Sequence, residues 1–315
     1  MLDTTGKLFE KLLTARLREH LILTGNTTDN QYGFKRGKST VDAMSRVRNI
    51  FQEANGRGSR NLFVGMLTLD VKNAFNSAPW EGILNALERK GTPGYLLNIL
   101  GQYLSNRKIV LDEESGRRTV GVSCGVPRGS VLGPDFWNVL YDDLLRMDLP
   151  PDVEIIAFAD DVALVATASV PFLLEERLEV ALQEVMNWMN RNGLELAMEK
   201  TEAIMLTNRN KHNIMTVRCG QYSFPSVKCV KYLGVQLDSR LHFSQHGEHA
   251  AARAAEACRQ LIQILPNLRG PRQRTRKVLA TVVSSIYLYV HSQLFQGKKK
   301  SSRGECPLGA LRFTV

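Results

Sequence analysis

Between residues 155 and 166 the chain carries two apolar runs, Ile155-Ile156-Ala157-Phe158-Ala159 and Val162-Ala163-Leu164-Val165-Ala166, separated only by Asp160 and Asp161. Runs of this length, rich in Ile and Val, predict two strands buried on both faces. The aspartates then fall at the hairpin tip, where carboxylates reach water while the arms stay in the core. Aspartate favours turns for local hydrogen-bonding reasons, so an Asp-rich turn is one reading. Turn chemistry needs only one carboxylate, however, and adjacent negative charges repel. A hard divalent cation such as Mg2+ takes carboxylate oxygens and removes that repulsion, which is the other reading.

The remaining pattern sets other elements around this hairpin. Residues 6–23 predict a helix with Leu8, Phe9, Leu12, Leu13, Leu17 and Leu21 on one face. The segment from Asp29 to Thr40 gathers Gly33, Gly37, Lys35, Arg36 and Lys38 just ahead of a second helix, residues 41–53. Amides and cations before a helix N-terminus suit a phosphate-facing loop, and they equally suit a solvated basic turn. After a flexible connector at 55–59, residues 62–69 predict a buried strand that ends on Asp70. Ser77 and Pro79 then mark a helix start and Gly91 its stop. Asp70 thereby lies at the C-terminal end of a strand, where sheet-based sites place reactive groups.

Further on, the small-residue stretch 121–133 lets another backbone or a flat ligand approach closely. Pro134 opens an amphipathic helix carrying Phe136, Trp137, Leu140, Leu144 and Leu145, and Leu174 to Met189 form another helical stripe that reads as core. Asn192-Gly193 closes that helix. Residues 194–206 predict a strand-like pair interrupted by Glu199-Lys200-Thr201, and residues 230–238 a further short β element. From residue 244 the texture turns helical and basic, and from 297 periodicity is lost, which predicts a disordered tail.

Composition narrows the partners. With 41 Lys and Arg against 31 Asp and Glu, the net charge of +10 points to a polyanion such as nucleic acid. No apolar run approaches the roughly 20 residues of a membrane span, and no partner membrane is expected. Five scattered cysteines without a CxxC pair read as reduced thiols of an intracellular protein. His242, His246 and His249 have no cysteine partner nearby, so a zinc site is not expected.

Asp70 and Asp160-Asp161, on separate strands, have the arrangement of a two-metal phosphoryl-transfer site, in which carboxylates hold two cations a few Å apart. With Phe-Ala-Asp-Asp at residues 158–161, the chain resembles the reverse transcriptase domain of non-LTR (LINE-like) retrotransposons of arthropod type, over about residues 3–296. The resemblance implies that Leu69-Asp70-Val71-Lys72-Asn73-Ala74-Phe75 is the first palm motif. Asp70 is then a metal ligand, Val71 offers a backbone carbonyl, and Phe75 is the steric gate under the incoming sugar. Asp160 is implied as the second metal ligand and Asp161 as its catalytic neighbour. Gly125-Val126-Pro127-Arg128-Gly129-Ser130 resembles the motif that positions template and nucleotide, with Arg128 standing where the family usually has Gln. Lys200 resembles the lysine that protonates the pyrophosphate leaving group. Tyr232-Leu233-Gly234 resembles the primer grip, and residues 31–40, with Lys35, Arg36 and Lys38, resemble the fingers motif beside the nucleotide.

The fold these likenesses imply is α/β (α+β), a right-hand polymerase: partial fingers at 1–60, palm at 61–243 as a small antiparallel sheet backed by helices, basic helical thumb at 244–296, and a tail at 297–315. The implied activity is RNA-directed DNA polymerisation from a primer 3′-hydroxyl, with two Mg2+ ions as cofactor, Mn2+ as a substitute, and an RNA template, DNA primer and deoxynucleoside triphosphates as partners. The family also carries an Arg-Pro fingers segment ahead of Leu2 and an upstream endonuclease domain. The expectation is therefore a fragment of an element that acts in a cytoplasmic ribonucleoprotein and the nucleus. A two-metal nuclease could also use three aspartates, and a non-catalytic RNA-binding relic could keep the fold and the basic surface.

Overall fold

The computed structural model describes residues 4–25, 27–56, 62–113, 116–127, 129–208 and 214–264, with Lys277 and Thr281. Arg128, most of the thumb expected at 244–296 and the tail expected from 297 lie outside the described residues.

Two helices, α1 (Thr4–Leu23) and α2 (Thr40–Asn55), precede the first strand, β1 (Phe63–Leu69). The short α3 (Ala74–Ser77), α4 (Trp80–Arg89) and α5 (Gly94–Leu104) follow, then the ribbon β2 (Lys108–Glu113) and β3 (Gly116–Gly121). Next come α6 (Gly133–Leu145), β4 (Val153–Phe158), β5 (Asp161–Ala168) and α7 (Pro171–Arg191). After a 3-10 turn at Met198–Lys200 the chain makes β6 (Glu202–Leu206), β7 (Thr216–Cys219), β8 (Tyr222–Val227), β9 (Cys229–Tyr232) and β10 (Val235–Asp238), and ends its described part with α8 (Ser244–Ile264). The chain divides into two units at His242/Phe243. The second contributes α8 to the described structure.

The apolar runs do form a hairpin, which makes one end of a six-stranded sheet of order β4-β5-β1-β6-β8-β7. β1 lies between β5 and β6, antiparallel to both, and all its residues except Thr68 are buried. A strand in the middle of a covered sheet must be apolar on both faces, which is what the pattern showed. The sheet departs from a purely antiparallel one at a single junction, because β6 and β8 pair parallel. α7 lays its stripe of Leu174, Leu178, Ala181, Leu182, Val185 and Met189 on one face. It sits close because β1 has Gly65: a Cβ there would come within 2.9 Å of Leu178 Cδ1 and Met215 Sδ.

α1 differs from the face its leucines predicted. Leu13, Leu17 and Leu21 are buried with Glu10 and Thr14, whereas Leu8, Phe9 and Leu12 are exposed. The helix is turned by Glu10, whose fully buried carboxylate accepts from the Tyr103 hydroxyl and, at 2.8 Å, from the Val131 N–H. A buried carboxylate demands such donors, and satisfying them sets the rotation. Burial, then the Glu10 hydrogen bond, pushes the Tyr103 phenol up to about 12.

Candidate active site

Strand register brings the three aspartates to one end of the sheet. Leu69 pairs with Val162 across β1 and β5, so Asp70 and Asp161, each one step beyond that pair, leave adjacent strands side by side. Phe158 pairs with Asp161 across β4 and β5, which leaves Ala159 and Asp160 as a two-residue turn. Partial withdrawal from water, then the charges of Asp160 and Asp70, pushes the Asp161 carboxyl up to about 6, with Lys200 pulling the other way. The aspartates thus feel one another even though Asp161 keeps an exposed edge.

Lys200 comes to the same place from the 3-10 turn, its Nζ 2.7 Å from Asp70 Oδ2. Its pKa is raised, first by that hydrogen bond and then by the Asp70 charge. Val71 is buried and bridges Leu196, but the two hydrogen bonds around that bridge run from Lys72 N–H to Glu195 O and from Ala197 N–H to Asp70 O. Neither uses the Val71 carbonyl. Among the described residues no three His, Cys, Asp or Glu side chains are already drawn into a metal cluster. The donor set still suits a hard divalent ion: carboxylate oxygens only, crowded enough to raise a pKa, with no sulfur or imidazole among them.

Three side-chain hydrogen bonds converge on the turn that carries Asp160. Gln31, itself buried, donates from Nε2 to the Ala159 carbonyl at 3.3 Å and accepts at Oε1 from the Ala159 N–H at 3.0 Å. Trp137 donates its indole N–H to the same carbonyl at 3.0 Å. The pattern of residues did not single out Gln31 or Trp137 for this role. The only signal was general: a buried indole N–H usually has a partner, and in the middle of an apolar helix face that partner must be distant in sequence.

Phe75 lies on α3 with its ring half-buried, 5.3 Å from the Trp137 ring and edge-on to Phe34 at 5.8 Å. The loop at 125–130, expected to position the template, is sewn to α3 and the start of α4. Val126 N–H donates to Phe75 O at 2.7 Å, Gly125 N–H to Ala78 O at 2.7 Å, and the Trp80 indole to Gly125 O at 2.7 Å. Pro127 accepts from Ser130 N–H at 3.1 Å, and Gly129 holds φ +82.

The structure turns Lys35 and Lys38 away from an open, phosphate-facing posture. Lys35 Nζ donates to Thr28 O at 2.7 Å, and Lys38 Nζ lies 4.5 Å over the Tyr32 ring and 3.3 Å from Asp29 Oδ1. Together they hold the Asp29 carboxyl below its ordinary range, Lys38 more than Lys35. Arg36 is exposed.

At the expected primer grip, Leu233 and Gly234 form the two-residue turn between β9 and β10, with φ +49 and +79. Positive φ at both positions is the hairpin geometry that matches strand twist. Tyr232 does not present its ring, being buried, and burial drives its phenol pKa well upward.

Carboxylates at the ends of antiparallel central strands, an aromatic floor and a glycine loop beside them define a palm of the nucleotide-polymerising kind. Residues 1–237 match the family described as Reverse transcriptase (RNA-dependent DNA polymerase), and the chain belongs to it. It is 28% identical over 279 residues to a protein of the type-1 retrotransposable element R1DM of Drosophila melanogaster, covering 89% of this chain and 26% of that one. It is also 28% identical to the Pol polyprotein of element R1 of Bradysia coprophila, covering 78% and 24%, and 26% identical to the RNA-directed DNA polymerase of mobile element jockey of Drosophila melanogaster, covering 78% and 27%. The chain thus spans about a quarter of the length of these relatives. Among solved structures it resembles Candida tropicalis telomerase in complex with a fragment of telomeric RNA, with TM-score 0.55 and 10% identity, over 92% of this chain and 46% of that one. The apo form of that telomerase, truncated of its C-terminal domain, gives TM-score 0.52 at 12% identity, over 74% and 44%. The fold is that of a right-hand polymerase.

Proposed function

We propose that the chain extends a DNA primer on an RNA template with deoxynucleoside triphosphates, as the polymerase part of a non-LTR retrotransposon protein. The observation that carries this reading is the register that sets Asp70 beside Asp161, with Asp160 on the adjoining turn. Asp70, Asp160 and Asp161, with the Val71 carbonyl, would hold two Mg2+ ions, or Mn2+ in their place. Such ions lower the pKa of the attacking hydroxyl and neutralise charge on the phosphates. The chain's own residues do the rest. Phe75 closes the space under C2′ of the sugar, the backbone at 125–127 and 129 supports the base pair, and Lys200 carries a proton close to Asp70 for the leaving pyrophosphate. Leu233 and Gly234 present backbone to the primer, and Arg36 offers a cation to the triphosphate. The +10 charge supports a nucleic-acid partner held through its phosphates. The free thiols Cys124, Cys219 and Cys229 support work inside the cell, in a ribonucleoprotein of cytoplasm and nucleus. The relatives' greater length leaves room for the endonuclease domain expected upstream.

Primer extension on poly(rA)/oligo(dT) with labelled dTTP, alongside a gel-shift titration, tests the reading. Asp70→Asn and Asp160→Asn are expected to abolish extension while leaving RNA affinity near wild type, because affinity comes from the basic surface. Extension at wild-type rate by either variant, or cleavage of the strand in place of extension, overturns it.

A further inference from the structure

We infer that Gln31 and Trp137 are positioning residues that hold Asp160 and Asp161 in working geometry by gripping the peptide of Ala159. The inference rests on the polymerase reading of those aspartates. Ala159 sits at φ +58, a left-handed conformation that an L residue other than glycine seldom adopts. Left to itself, this turn would relax and swing the carboxylate of Asp160, which is the next residue. Something else in the fold must hold it, since strained backbone at a site persists only where its surroundings over-determine it.

The surroundings are specific. Gln31 engages both the N–H and the carbonyl of Ala159, and its Oε1 also accepts from Gly33 N–H at 2.8 Å. Trp137 supplies the second donor to the same carbonyl from α6. On either side of Gln31 the backbone is pinned to β4, Tyr32 N–H donating to Ala157 O at 2.8 Å and Ala157 N–H to Asn30 O at 2.9 Å. Gly33 completes the fit: a Cβ there would stand 2.1 Å from the Ala159 nitrogen, so only glycine lets the segment press this close. Asn138 holds Gly33 in turn, Nδ2 to Gly33 O at 3.2 Å. Residues 30–33 thus form an added edge on the catalytic hairpin, with one buried amide reading its turn.

Gln31→Met keeps the length and removes the two hydrogen bonds to Ala159 together with the one from Gly33 N–H. Trp137→Phe removes one donor and keeps a ring between Phe75 and Tyr141, so it serves should Gln31→Met fail to fold. Mn2+ binding is measured by electron paramagnetic resonance, with Asp160→Asn as the reference for loss of the site, next to kcat for primer extension and primer–template affinity. Expected are a weakening of Mn2+ binding and a fall in kcat, each on the order of tenfold or more, since misplacement by about 1 Å costs on this order. Primer–template affinity should stay within about twofold. Adding Ala159→Gly to either variant should recover part of the loss, because glycine takes the left-handed turn without being held in it. A merely structural role would lower the melting temperature yet leave Mn2+ affinity unchanged and give no recovery with glycine, and that result overturns the inference while the polymerase reading stands. A wild-type chain that neither extends primers nor binds Mn2+ through Asp160 overturns both.

Discussion

Lys200 and Asp70, far apart in sequence, share a hydrogen bond of 2.7 Å between Nζ and Oδ2. The residue proposed to give up a proton therefore rests on the carboxylate proposed to hold a cation. Both side chains reach water, Lys200 at 63% exposure, so the pair is an easily broken surface contact and not a lock. An ion held by Asp70 would compete with the ammonium for that carboxylate and leave Lys200 available to a leaving group. Lys200→Met should lower kcat for extension by about a hundredfold or more, the usual share of a general acid. The Mg2+ concentration for half-maximal rate should change only a few-fold. A large gain in metal affinity with little loss of kcat would make Lys200 a competitor of the ion and not a proton donor.

Asp161 gives the site a pH dependence of defined sign. Burial, then the charges of Asp160 and Asp70, pushes its carboxyl up to about 6, well above the ordinary carboxylate range. The folded state therefore binds this proton more tightly than the unfolded chain. The stability it contributes is full below about pH 4 and is lost as pH rises through about 6. A divalent ion held by Asp161 would reverse the trend, because it would bind the ionised form. Melting curves at several pH values should show Mg2+ stabilising the protein above about pH 6 and hardly at all near pH 5. Equal stabilisation at both pH values would separate Asp161 from the ion.

Phe75, proposed to lie under the sugar, has two ring neighbours, Trp137 at 5.3 Å and Phe34 edge-on at 5.8 Å. Phe75→Val should open space for a 2′-hydroxyl and reduce the ratio of kcat/KM for dCTP over CTP. The half-buried ring also packs, so a loss of stability on the order of 1–2 kcal/mol is expected with it. An unchanged ratio with that stability loss would return Phe75 to the core alone.

The parts of this site that could be read in advance are those written in local pattern. Ile155 to Ala166 declared a hairpin because both faces are covered, and Asp70 declared itself by ending an apolar strand. Helix α5 and the ribbon of β2 and β3 were missed for opposite reasons. α5 has a broad apolar face without a polar boundary, and β3 is exposed along its whole length, so neither shows a clean alternation. Glu10, Gln31 and Trp137 were beyond reach for a different reason. Each acts on backbone atoms more than 20 residues away, and a side chain's type does not disclose which peptide it will meet. The basic loop at 35–38 showed its charge but not its direction, since Asp29 takes up both lysines.

Two glycines of the loop at 125–130 separate strain from close approach. Gly125 has φ +86 and Gly129 has φ +82, so an alanine at either is strained by the same backbone conformation, at about 1–2 kcal/mol. Their surroundings differ. A Cβ at 129 meets nothing within 4 Å, whereas one at 125 would stand 2.5 Å from the backbone oxygen of Asn76 on α3. Backbone cannot swing aside, so the alanine at 125 must lift the loop off α3. That breaks the hydrogen bond from Val126 N–H to Phe75 O and shifts the floor of the sugar site. Gly129→Ala should therefore cost mainly stability, with kcat/KM for dCTP within a few-fold of wild type. Gly125→Ala should cost a similar strain and in addition lower kcat/KM by about tenfold to a hundredfold, the scale of a displacement near 1 Å, and relax discrimination against CTP. Steady-state kinetics with both nucleotides on the two variants decide the matter. Equal losses in the two would mean that strain alone governs the loop and that its seam with Phe75 carries no part of sugar selection.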